Sequence, residues 1–166
     1  IATGIVQMLP QLVVGAIQII TTLINTISEN LPTILNGAVE IINTLWQSAK
    51  AGETVFYDIY TAQEKIADPE KENTGLFFFK GDPGEKFAIC NAGGGFAYVG
   101  AMQDSFPHAL ELSKLGYNAF ALIYRPGAQA ACEDLARAIR FVFENAAELE
   151  VDTDCYALWG GSAGGG

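Results

Sequence analysis

An apolar run that breaks into glycines, Tyr156-Ala-Leu-Trp-Gly-Gly-Ser-Ala-Gly-Gly-Gly166, constrains this chain more than any other stretch. A strand must turn abruptly there, and the order Gly160-Gly161-Ser162-Ala163-Gly164 leaves bare backbone two residues before and two after the serine. Side chains at those two positions would collide in a sharp strand-to-helix turn, the geometry that lifts a serine hydroxyl clear of its neighbours. A helix starting at such a turn aims its first amides at the same point, Ala163 N–H foremost, and favours negative charge there.

A second glycine cluster lies upstream in Ala88-Ile-Cys-Asn-Ala-Gly-Gly-Gly-Phe96, again after an apolar run and before a helical pattern. Acyl transfer needs two or more N–H groups converging on one carbonyl oxygen, and consecutive glycines let backbone approach a substrate that closely. Gly94 and Gly95 are the candidate donors, Asn91 and Gly93 the candidate supports of the loop, and Phe96 and Tyr98 candidate walls of an acyl site. Taken singly, each cluster also fits a tight turn with no ligand.

Together these motifs resemble the α/β-hydrolase superfamily, and within it the small carboxylesterases of the acetyl-esterase and lipase-like branch, over residues 54–166. The resemblance implies Ser162 as a catalytic nucleophile, an oxyanion hole from Gly94, Gly95 and Ala163, an ester substrate, and no cofactor or metal. Such enzymes usually read His-Gly-Gly-Gly, where this chain has Ala92 in the histidine position. In that superfamily the acid and the histidine of the triad follow the serine. Both are therefore expected outside these residues, and the segment is expected to be the first half of a hydrolase domain, inactive alone.

Length and composition are compatible with one core: 166 residues, half of them hydrophobic. A net charge of −10 repels phosphate backbones and argues against nucleic acid as a partner. Cys90, Cys132 and Cys155 are odd in number and match no metal-ligand spacing, so free thiols, two of them in buried strands, are expected. A cytoplasmic location is the default, because no signal-peptide pattern opens the sequence.

Charge is distributed unevenly: before Lys50 only Glu29 and Glu40 are charged, which marks a first module over residues 1–49 and a second over 50–166. Leu9-Pro-Gln-Leu-Val-Val-Gly-Ala-Ile-Gln-Ile-Ile-Thr-Thr-Leu23 repeats as Leu31-Pro-Thr-Ile-Leu-Asn-Gly-Ala-Val-Glu-Ile-Ile-Asn-Thr-Leu45, a shift of 22 residues. Gln7, Gln11, Gln18, Thr22 and Asn25 fall on one helical stripe, and Pro10 and Pro32 suit first-turn positions, so an apolar helical hairpin is expected. This segment is similar to the helical repeats of phage tail tape-measure proteins, which leaves a structural tail-type protein carrying a hydrolase remnant as the alternative function. A membrane span over residues 1–28 is the less favoured reading, given its polar interruptions and the lack of flanking Lys or Arg.

The second module alternates strand and helix. Residues 54–60, 75–80, 87–91, 117–124 and 154–159 read as strands, and 102–115 and 130–149 as helices, the former closed by Gly116. Leu135, Ala138, Ile139, Val142 and Phe143 share one helix face, with Arg137 and Arg140 turned outward. The expected fold is α/β, an incomplete α/β-hydrolase sheet of mostly parallel strands with crossover helices, placing both glycine clusters at strand carboxyl ends. His108, the one histidine, precedes the serine and reads as a helix residue beside the loop rather than a base. Asp152 and Asp154 fall at the far end of the last strand, and Arg125-Pro126-Gly127 is either pocket rim or structural turn.

Overall fold

A computed structural model describes the backbone of residues 2–166 and the side chains of residues 14–166. It divides into two compact units, Ile1–Glu40 and Ile41–Gly166.

The apolar N-terminal sequence forms one helix, α1 (Ala2–Lys50), in place of the expected hairpin. Pro32 does not end it: the missing N–H costs the helix one rung, at the Ser28 carbonyl. One turn earlier, Asn30 Nδ2 donates to Thr26 O at 2.7 Å. Helices commonly stop at a left-handed glycine, and none stands between Gly15 and Gly37. The helix closes instead at Gly52 (φ +85°), where Gly52 N bonds Ala49 O and Glu53 N bonds Ser48 O. Ile17, Ile19, Ile20, Leu23, Ile24 and Ile27 are all more than half exposed. Gln7, Pro10 and Gln11 lie outside the described side chains. Among the described residues no helix is long and apolar enough to cross a membrane.

The last turns of α1 belong to the second unit. Ile41 is 2% exposed and packs, with Leu45, among Phe79, Cys90 and Phe106. The unit boundary therefore falls ahead of the change in charge near Lys50.

The second unit is a five-stranded sheet built from β1 (Phe56–Asp58), β2 (Gly75–Phe79), β3 (Lys86–Asn91), β4 (Asn118–Ile123) and β5 (Asp152–Gly160). The spatial order is β1-β2-β4-β3-β5. β2 runs antiparallel to β1 and β4, while β3 runs parallel to β4 and β5, so four of the five strands share a direction. Helix α2 (Ala62–Ala67) and a 3-10 turn at Pro69–Lys71 link β1 to β2. Helix α3 (Ser105–Lys114) connects β3 to β4, and α4 (Ala128–Glu144) with α5 (Ala146–Leu149) connects β4 to β5.

Alternation along the strands divides the side chains between two faces. Leu76, Phe78, Phe87, Ile89, Phe120 and Leu122 form one core with Ala131, Ala138 and Val142 of α4. Phe79, Cys90, Ala119 and Ala121 meet Phe106, Ala109 and Leu110 of α3 in the other. Phe78 stacks on Phe120 at 4.4 Å, and burying each such ring contributes about 2 kcal/mol. Asn118, fully buried, ties the turn before β3 to the sheet by accepting from Gly81 N and donating to Asp82 O and Glu85 O.

Several expectations are corrected. The helix expected over 102–115 is broken at Asp104 (φ −134°, ψ −82°), leaving a 3-10 turn at Ala101–Gln103 before α3. The helix expected over 130–149 is interrupted at Asn145. Arg137 turns inward enough to donate to Ile59 O at 2.8 Å. Among the described residues Phe143 and Cys155 are exposed, β5 standing last in the strand order and Phe143 packing beside its Tyr156.

Candidate active site

β3 and β5 are paired neighbours with Asn91 opposite Gly160, so the two glycine clusters emerge side by side at the same end of the sheet. Past β5 the chain reverses through Gly161, and Ser162 takes φ +51°, the left-handed region that costs an L-residue roughly 1–2 kcal/mol. Ser162 is exposed and opens a 3-10 turn, Ser162–Gly165. The glycines two before and two after it are required by space: a Cβ on Gly160 would collide with Gly164 O, and one on Gly164 with Asn91 O.

The loop after β3 folds onto this turn. A Cβ on Gly93 would stand 3.0 Å from Gly161 O and 3.1 Å from Ser162 Cβ, a tight fit that a side chain could take only if the serine turn gave way by a few tenths of an ångström. Gly94 (φ +148°) has no room for a side chain against Tyr98 O, whereas Gly95 (φ +61°) faces open space. Neither the Gly94 nor the Gly95 N–H donates to a backbone carbonyl among the described residues. Phe96, also left-handed at φ +58°, is held by Gly127 N donating to its carbonyl at 2.7 Å. Phe96 lines a small pocket together with Asn91, Tyr124, Ala163 and Gly164, while Tyr98 is 60% exposed.

Loop support comes from residues that sequence reasoning passed over. Gly93 N donates to Asp104 Oδ2 at 2.7 Å, and Tyr124 Oη donates to Ala92 O at 2.6 Å. The Asn91 side chain instead crosses to the neighbouring strand, Nδ2 to Trp159 O at 3.3 Å, and its buried Oδ1 has no partner among the described residues. Its backbone carbonyl accepts from Gly161 N at 3.3 Å, so Asn91 braces the serine turn rather than the glycine loop. Tyr124 ends the strand pattern and Asp104 sits where a helix N-cap belongs, the only sequence signals either offers.

His108 Nδ1 lies 2.7 Å from Asp104 O, an atom that can only accept, so Nδ1 carries the proton. The ring rests on Trp159 at 4.8 Å. Arg125 does not line a rim: it is 7% exposed and bonds the fully buried Asp134 through Nη2 at 2.8 Å, with Asp68 and Tyr60 adjoining. The Asp134 bonds raise the guanidinium pKa, and burial followed by the Asp134 bond pushes Tyr60 up to about 12. Asp152 and Asp154 stand at the start of β5, the end away from Ser162.

The match that decides the relationship is a family model, BD-FAE, which covers residues 82–166, about half of the chain. The chain belongs to the BD-FAE family, a family of α/β-hydrolase esterases. Solved structures agree. An acetyl ester-xyloside bifunctional hydrolase from Caldicellulosiruptor lactoaceticus is 30% identical with a TM-score of 0.59, over 66% of this chain and 43% of that one. The apo form of Thermogutta terrifontis esterase 2 is 29% identical (TM-score 0.52, 55% and 38% covered), and its propionate-bound form is 25% identical (0.57, 66% and 42%). The chain thus spans less than half the length of these α/β-hydrolase structures. No curated protein matches. Within the BD-FAE segment fall both glycine clusters, Asp104 and Ser162.

Proposed function

We propose that this BD-FAE chain carries the nucleophile and oxyanion donors of a serine carboxylesterase that works through an acyl-enzyme. Ser162 Oγ attacks the ester carbonyl, forming a new C–O bond while its proton passes to a general base. The tetrahedral oxyanion is held by the N–H groups of Gly94, Gly95 and Ala163. Collapse expels the alcohol, which takes the proton, and water then cleaves the acyl-serine by the same steps. No cofactor enters these steps.

The observation that carries this assignment is the left-handed Ser162 packed against the bare backbone of Gly93. A strained serine is retained where geometry at a reacting atom matters. The base and its orienting carboxylate are assigned to hydrolase segments other than these residues: the one histidine, His108, is bound to Asp104 O and sits on α3, ahead of the serine. These residues alone should therefore turn over very slowly, a serine without its base being a weak nucleophile. The named neighbours, an acetyl ester hydrolase and an esterase with propionate bound, point to short acyl groups.

The test uses the intact protein and p-nitrophenyl acetate, with a fluorophosphonate to trap the nucleophile. The expected result is one phosphonate per chain on Ser162 and loss of turnover in Ser162→Ala. A label on another residue, or full turnover in Ser162→Ala, overturns the assignment.

A further inference from the structure

We propose that Asp104 is a positioning residue whose carboxylate clamps the Gly93–Gly95 loop against the serine turn and so sets the oxyanion donors; this rests on the esterase assignment above. Asp104 Oδ2 accepts from Gly93 N at 2.7 Å. A Cβ on Gly161 would lie 2.8 Å from Oδ2 and 3.2 Å from Oδ1, so the same carboxylate also abuts the residue preceding Ser162. One side chain thus touches both glycine clusters.

Its placement is unusual for an aspartate in this position. Asp104 occupies the N-cap of α3, where an Asp side chain ordinarily accepts from the helix's own free amides, yet it makes no such bond. The carboxylate is turned away to Gly93 instead. A carboxylate acceptor makes a shorter and stronger bond than a neutral one, which suits a loop of three glycines with little rigidity of its own. The residue is also pinned from behind. Asp104 N donates to Ala101 O at 3.3 Å, and Asp104 O accepts from His108 Nδ1 at 2.7 Å. That imidazole stands 3.4 Å from Oδ1 and rests on Trp159, the residue before Gly160. Asp104 is therefore held by its own turn and by a ring braced on β5. Its charge is felt at Cys90 and Tyr124, where it adds to the larger effect of burial.

The clamp acts through Gly93 on the next two amides. If the carboxylate is removed, Gly93 N–H loses its partner and Gly94 and Gly95 lose their register with Ser162. A misplacement of about 1 Å at such donors costs on the order of 10²-fold in rate. Substrate binding outside the oxyanion hole is untouched, so the loss should fall on kcat and not on KM.

The experiment compares wild type, Asp104→Ala and Asp104→Asn in the intact protein, measuring p-nitrophenyl acetate kinetics and, by NMR, the exchange of the Gly93 amide beside those of Ile89 and Phe120. Asp104→Ala is expected to lower kcat by about 10²-fold with KM within about twofold, and to speed Gly93 exchange with Ile89 and Phe120 unchanged. Asp104→Asn keeps an acceptor oxygen and should recover most of both. The proposal is overturned if Gly93 exchange is the same in Asp104→Ala, or if both variants lose core protection together. A wild-type protein with no ester turnover sinks the esterase assignment instead. The Gly93 amide then decides the clamp alone, which stands if Asp104→Ala speeds its exchange and falls if it does not.

Discussion

Gly93 and Ser162 are 69 residues apart in the chain, yet a Cβ on Gly93 would sit 3.1 Å from the serine's own Cβ. The contact exists because Asn91 and Gly160 are opposed in a parallel ladder and each strand delivers its glycine turn at the same level. Parallel pairing needs a long crossover, and here the intervening chain supplies two, through α3 to β4 and through α4 and α5 back to β5.

Gly164→Ala tests whether the turn is closed by sterics. The added methyl would strike Asn91 O, which is main chain and cannot rotate away. The expected destabilisation is about 1–3 kcal/mol by urea unfolding. Gly95→Ala is the comparison: its Cβ meets nothing within 4 Å, so only its φ of +61° is penalised, by about 1 kcal/mol. A loss in Gly164→Ala no larger than that in Gly95→Ala would show that Asn91 O does not limit the turn.

Ser162→Gly should make the protein more stable while removing the hydroxyl of the proposed nucleophile. At φ +51° a serine is strained and a glycine is not, so the variant is expected to gain about 1 kcal/mol in unfolding free energy. Ser162→Ala loses the same hydroxyl but keeps the strain and should gain nothing. Identical stabilities for the two would mean that the left-handed serine carries no cost.

Much of the sheet was legible in the residues. The continuous apolar runs at 75–79 and 118–123 read as buried strand, and Gly116 (φ +94°) closes α3 where expected. Other features depend on partners remote in sequence. Asp104 reads as one more residue of the helix expected over 102–115 until Gly93 is folded next to it, and Arg125 as either pocket rim or structural turn until Asp134 and Tyr60 close around it. Cys155 reads as buried because its strand is apolar; which strand is an edge is a property of sheet order, not of local pattern. The helical hairpin failed for a local reason, since proline alone is a weaker stop than proline with a left-handed residue before it.

Asp134→Ala should be among the most damaging substitutions. It removes the acceptor of Arg125 N at 2.7 Å and of Arg125 Nη2 at 2.8 Å and leaves a buried guanidinium without its main counter-charge. A loss of about 3–5 kcal/mol is expected, and Arg125→Met combined with Asp134→Ala should recover part of it. The same cluster contributes to alkaline stability. Tyr60 is raised from 10.0 to about 12, so its contribution is complete below pH 10 and is lost as pH climbs from 10 towards 12. Urea midpoints across that interval should fall less steeply in Tyr60→Phe, and parallel slopes would remove Tyr60 from the account.

The three thiols should separate by burial. Cys90 is fully buried on β3, and desolvation first, then the Asp104 charge, pushes it up to about 12, so almost no thiolate exists at neutral pH. Cys132 and Cys155 are exposed. Alkylation follows the thiolate and its accessibility. Iodoacetamide at pH 8 is therefore expected to modify Cys132 and Cys155 within minutes to hours and to leave Cys90 unmodified until urea opens the core, as read by mass spectrometry of the digested protein. Because Cys90 lies two residues from Ala92, whose carbonyl takes the Tyr124 hydroxyl, its protection also reports on the base of the glycine loop. Rapid labelling of Cys90 in the folded protein would contradict the packing of β3 between β4 and β5.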